Sequence, residues 1–142
     1  MKVSVNDIVR YFETLTPQSL ERLGAFYTED AGFKDPFNQV QGLGAIEQVY
    51  RHMFDTLDAP RFVIRQSVSD GQQCFLSWEF KFRFRRWHRD VEQTVRGASH
   101  LLLGIDGRIR IHRDYWDAAE ELYEKLPLLG GPVRWLRRRA AA

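Results

Sequence analysis

The spacing of apolar positions changes once along this chain, from a helical period to a strand period. In "VNDIVRYFETL", Val5, Ile8, Val9, Phe12 and Leu15 recur as one buried helical stripe, with Tyr11 beside it. Thr16 and Pro17 then suit the cap and first position of a second helix, whose apolar face runs through Leu20, Leu23, Phe26 and Tyr27. "AGFKD" predicts a short strand and "PFNQVQG" a loop. A third helix is predicted over 43–57, burying Ile46, Val49, Tyr50, Met53, Phe54 and Leu57.

After that point the period falls to two. "RFVIRQSV" predicts a strand, closed by a turn at Asp70-Gly71. In "QQCFLSWEFKFRFRRW", Trp78, Phe80, Phe82 and Phe84 face one way, and Glu79, Lys81, Arg83 and Arg85 the other. "EQTVRGASHLLLGI" is the next strand, with Gly97 a candidate bulge. Asp106-Gly107 marks a tight hairpin into "RIRIHRDYW", where His112, Asp114 and Trp116 share one face, and Ile109, Ile111, Arg113 and Tyr115 the other. "DAAEELYEKL" predicts a last short helix ending at Pro127.

Helices first and strands afterwards read as α+β. The expected architecture is a cone-shaped, curved antiparallel sheet of about four long strands wrapped around three N-terminal helices, with a short C-terminal helix. One domain over residues 1–128 is expected, followed by a basic tail, 129–142. A cone open at one end is a default ligand cavity. Tyr50, Phe54, Trp78, Phe80 and Trp116 are its candidate aromatic walls, suited to a compact hydrophobic molecule.

Charge changes this picture little. The net charge is +2, but Arg134, Arg137, Arg138 and Arg139 all lie in the tail, and without them the body carries −2. A nucleic-acid-binding body would carry clustered basic charge itself, so that class is set aside. The tail "LPLLGGPVRWLRRRAAA" reads as a mobile or weakly docked segment, with weak contact to a membrane surface as the alternative. A single cysteine, Cys74, excludes an intrachain disulfide, reads as a packing residue and fits a reducing cytoplasm. The start of the chain has no apolar core of a signal peptide, and no apolar run reaches membrane-spanning length.

The candidate chemistry is acid–base. His52, His88, His100 and His112 fall on separate elements without metal-ligand spacing, and no Gly-rich phosphate loop, nucleophile elbow or Cys–His grouping is present. No metal and no cofactor are therefore expected. His112 and Asp114, two apart on a strand face, can touch, and a carboxylate beside an imidazole orients the ring for proton transfer. His100 points away from its neighbour Ser99 and reads as structural or interfacial. Asp35 precedes Pro36 and is therefore extended, at a strand end, serving either a turn or a pocket mouth.

Two motifs carry a resemblance. "YFETLTPQSLERLGAFYTEDAGFKDP" resembles the ketosteroid isomerases, in which a helical tyrosine precedes a base aspartate in a "DP" pair by the spacing that separates Tyr11 from Asp35. "GRIRIHRDYWD" is similar to the closing strand of SnoaL-like proteins and limonene epoxide hydrolases. Together they identify a nuclear transport factor 2-like domain of the SnoaL-like type over residues 5–125. The resemblance implies Asp35 as general base, Tyr11 as oxyanion donor and Asp114 inside the cavity. It places Ser99 where the isomerase holds a protonated aspartic acid, so a serine replaces the strongest donor. The hydrolase's arginine–aspartate pair has no counterpart, since Arg96 in "VRGASH" is not followed two residues on by an aspartate. The expected function is binding of a small hydrophobic molecule, either by a cofactor-free isomerase, cyclase or epoxide-hydrolase-like enzyme or by a non-catalytic pocket or interaction module. A homodimer through the outer sheet face is expected with it.

Overall fold

The computed structural model describes residues 2–126 and 129–141. It is α+β, with one open, mixed sheet of six strands. Helix α1 (Val5–Glu13) opens on a reciprocal cap: Ser4 Oγ accepts from the Asp7 amide while Asp7 accepts from the Ser4 amide. Its apolar stripe buries Ile8 and Phe12, as the spacing predicts.

The next segment departs from the expectation. Gln18–Ala25 is a 3-10 helix rather than an α-helix, and at its start Thr16 and Ser19 exchange side-chain-to-amide bonds across Pro17. It stops before Tyr27, which begins strand β1 (Tyr27–Lys34) and is fully buried. Strand β2 (Gln39–Gln41) lies inside the predicted loop and pairs antiparallel with β1. Helix α2 (Leu43–Thr56) follows, then the long strands β3 (Asp58–Asp70), β4 (Gln73–Arg83), β5 (Gln93–Leu103) and β6 (Ile109–Tyr115).

The sheet order is β2-β1-β6-β5-β4-β3. The sheet is mixed, not wholly antiparallel, because the first long strand and the last one lie side by side and parallel. That pairing aligns Phe33 with His112 and Lys34 with Arg113. It brings the start and the end of the domain into one wall.

Two local predictions are also corrected. Gly97 sits in regular register opposite Trp78 and is not a bulge. An added Cβ there would lie 2.5 Å from the Trp78 ring, so the glycine leaves room for the indole of the neighbouring strand. An irregularity does occur in β6, where Leu103 pairs with Ile109 but Leu102 with Ile111. The extra residue, Arg110, switches faces, so Ile109 is fully buried while Ile111 is exposed.

After β6, the short helix α3 (Ala118–Glu121) starts on an Asp117 cap and is tied to β5 by Arg96 Nε, 2.9 Å from Glu121 Oε1. Pro127, the expected end of this stretch, lies outside the described residues. The tail forms a further helix, α4 (Gly130–Ala140), where the sequence reading places a mobile or weakly docked segment. Arg134 and Arg137 hold it to the backbone carbonyl and carboxylate of Glu124.

Candidate functional site

The inner face of the sheet is built by alternation. On β4, Cys74, Leu76, Trp78 and Phe82 are buried in sequence, as the strand pattern requires. Cys74 is a fully buried packing residue, with its thiol pushed up in pKa by burial. Between this face and α2 lies a cavity of about 390 Å³. Trp78, Phe80, Phe82 and Phe84 all line it, together with Tyr50 and Met53 of α2 and Leu57 just after it. Trp116, Leu122 and Leu126 close it from beyond β6. Phe37, half exposed, lines it too and packs edge-on against Trp116 at 5.6 Å.

Six side chains form one hydrogen-bonded chain along one side of the cavity. Ser99 and Asp114 are direct cross-strand partners on β5 and β6, and His112 is two residues before Asp114 on the same face. Trp78 Nε1 donates to Ser99 Oγ at 2.9 Å. Having accepted there, Ser99 donates its own proton to Asp114 Oδ1 at 2.5 Å. His112 Nε2 reaches the same oxygen at 2.6 Å. Its other nitrogen, Nδ1, meets the Tyr27 hydroxyl at 2.7 Å, and Tyr27 meets the Tyr50 hydroxyl at 2.8 Å.

The arrangement that leaves every hydroxyl an acceptor runs in one direction. Tyr50 donates to Tyr27, Tyr27 donates to Nδ1, and the ring proton sits on Nε2 facing Asp114. Burial raises the Tyr27 phenol well above its ordinary pKa, and burial followed by the Asp114 charge raises that of Tyr50, so both remain donors. Asp114 Oδ1 thus collects two donors. Among the described residues nothing reaches its Oδ2, and the side chain, 14% exposed, lines the cavity.

The other expected site residues divide. Asp35 lines the cavity, but its Oδ1 accepts from the amides of Phe37 at 2.8 Å and Asn38 at 2.7 Å, so it closes its own turn as well. Tyr11 is not a lining residue. Its hydroxyl donates to the Ser19 carbonyl at 2.8 Å and its ring stacks on Phe26, with its pKa pushed up to about 12 by burial. The Tyr11–Asp35 pair implied by the resemblance does not assemble on one cavity wall. Phe54 packs against the core but does not line the cavity, unlike Tyr50, Trp78, Phe80 and Trp116.

Sequence reasoning missed Tyr27, since "AFYTED" reads as the end of a helix. It also missed Asn38, His52 and Thr56, the remaining polar lining groups. The signal for Tyr27 is its contact with His112, and only the parallel β1–β6 pairing supplies that. No group of three or more metal-ligating side chains occurs among the described residues.

An open mixed sheet whose inner face and helices enclose an apolar cavity defines the nuclear transport factor 2-like class. The chain belongs to the SnoaL-like domain family, whose model matches residues 8–112. Solved structures agree on the fold. A protein of ketosteroid isomerase-like fold from Catenulispora acidiphila, in complex with trimethylamine, superposes with a TM-score of 0.71 at 15% identity, covering 92% of this chain and 95% of that one. TerC, co-crystallised with polyporic acid, gives 0.70 at 14% identity, covering 82% and 92%. An LEH-like epoxide hydrolase of M. tuberculosis gives 0.65 at 16%, covering 94% and 92%. A comparison with curated proteins gives no match. No helix among the described residues is long and apolar enough to cross a membrane.

Proposed function

We propose that this chain binds a small hydrophobic molecule in its cavity and carries out cofactor-free acid–base chemistry on it, with Asp114 as the general base. The observation that carries this reading is the division of labour at one carboxylate. Oδ1 is held by Ser99 and His112, while Oδ2 has no partner among the described residues and the side chain lines an aromatic cavity. A base so oriented needs no rearrangement when substrate arrives. The step is removal of a proton from carbon beside a carbonyl: the proton moves onto Oδ2, the C–H pair becomes the C=C bond of the enolate, and the C=O π pair moves onto the carbonyl oxygen. His112 then steadies the protonated carboxyl through Oδ1. Two structures of similar fold hold small organic molecules, trimethylamine and polyporic acid, which supports a small-molecule role.

The test is deuterium exchange in heavy water, followed by proton NMR, on aromatic 1,3-diketones such as benzoylacetone. Exchange above background that disappears in a folded Asp114→Asn variant supports the base. Exchange equal in both proteins removes Asp114 from the role.

A second reading is a non-catalytic pocket protein, and one observation favours it. Tyr11 and Ser99, the two expected oxyanion donors, both direct their protons to protein acceptors. Stabilisation by a bound compound that is never converted supports this reading over the first.

A homodimer through the outer sheet face belongs to the same proposal. Val68, Phe75, His100 and Arg113 form a cross-strand row there, flanked by Ile111 and Tyr115, and the four large apolar side chains of this group are 45–64% exposed. Light scattering after gel filtration reads the outcome: a monomer mass removes the dimer.

A further inference from the structure

We infer that the ligand of this cavity is cationic: a hydrophobic amine bound as its ammonium ion. The inference rests on the reading of the cavity as a small-molecule site and specifies its chemistry. Two carboxylates, Asp35 and Asp114, line the cavity, and among the described residues no lysine or arginine does. They belong to one wall, because Lys34 pairs with Arg113 in the parallel β1–β6 register, Asp35 directly follows the end of β1 and Asp114 follows Arg113 on β6. Lys34 and Arg113 occupy the opposite face by alternation and leave this one without a cation.

The hydrogen-bond chain does not neutralise the wall. With the ring proton of His112 on Nε2 and Nδ1 accepting from Tyr27, His112 brings a dipole to Asp114 and no net charge. The Asp114 side chain, 14% exposed and lining a mostly apolar cavity, is a carboxylate whose natural partner is a positive charge. The remaining walls suit the same ligand. Tyr50, Trp78, Phe80 and Trp116 line the cavity, and aromatic rings attract a desolvated alkylammonium while their area takes up its hydrocarbon part. A neutral or anionic hydrophobe gains only the second of these contributions.

Phenyltrimethylammonium and tert-butylbenzene have nearly the same shape and differ by one charge. Titration of each into the full chain, read on the tryptophan indole NMR signals, tests the inference without any turnover. The cation is expected to bind at least about tenfold more tightly than the hydrocarbon, shifting Trp78 and Trp116. That preference is expected to shrink in Asp114→Asn and in Asp35→Asn while hydrocarbon affinity stays constant. Should Asp114→Asn fail to fold, Asp35→Asn and the wild-type comparison suffice. Equal or tighter binding of tert-butylbenzene overturns the ammonium assignment and leaves the cavity as a hydrophobic site. Binding of neither probe overturns it too, and if deuterium exchange is also missing the small-molecule reading falls with it.

Discussion

The Tyr27 hydroxyl lies 2.7 Å from Nδ1 of His112, joining the first residue of β1 to the middle of β6 across 85 positions of the chain. Both side chains are almost wholly buried. The contact sets which nitrogen of the ring faces Asp114, so it controls the candidate site from outside the cavity.

Tyr27→Phe removes that donor and leaves Nδ1 and the Tyr50 hydroxyl short of partners. We expect a loss of about 1–3 kcal/mol in urea unfolding, the range for buried polar groups left unsatisfied. The His112 ring nitrogens should also shift in ¹⁵N NMR as the tautomer is released. An unchanged spectrum would show that Asp114 alone orients the ring.

Gly97→Ala places a methyl group against the Trp78 ring at 2.5 Å. The indole must move, and its bond to Ser99 Oγ moves with it. The expected cost is about 1–3 kcal/mol, the usual range for overpacking, with a change in tryptophan emission. A variant with wild-type stability and emission would mean that the ring has room to slide.

Asp35 should separate its two roles by substitution. Asp35→Ala removes the acceptor for two loop amides and is expected to lose about 1–2 kcal/mol. Asp35→Asn keeps an oxygen for those amides and should lose much less. Equal losses in thermal unfolding would show that the charge, rather than the turn, holds the loop.

At alkaline pH the buried phenols set the limit. Tyr11 has its pKa raised from 10.0 to about 12, and Tyr27 and Tyr50 are raised as well, in every case chiefly by burial. A raised acid is bound more tightly to its proton in the folded state, so this stability is complete below about pH 10 and is lost as pH rises through about 12 for Tyr11. Phenolate absorbance should therefore show a fraction of tyrosine that ionises only as the chain unfolds. Full ionisation of all tyrosines with the circular dichroism signal intact would contradict the burial.

Much of this protein is legible from periodicity alone. The helical stripe of α1, the buried side of α2 and the inward row Trp78, Phe82 and Phe84 follow directly from which side chains prefer to leave water. Alternation is also enough to put His112, Asp114 and Trp116 on one face, where all three line the cavity. The family resemblance adds the overall fold. These are local properties: each depends on neighbours within a few residues along the chain.

What only the tertiary structure decided is non-local. The parallel pairing of β1 with β6 joins segments with no short-range signal between them, and it creates the Tyr27–His112 contact. The inserted residue at Arg110 turns Ile109 inward, which alternation counted from Asp114 cannot foresee. Tyr11 keeps the spacing of an oxyanion donor yet gives its proton to the Ser19 carbonyl, because the 3-10 segment brings that acceptor within 2.8 Å. The sequence determined which groups are available for chemistry; hydrogen-bond competition in the packed interior decided which of them face the cavity with a valence to spare.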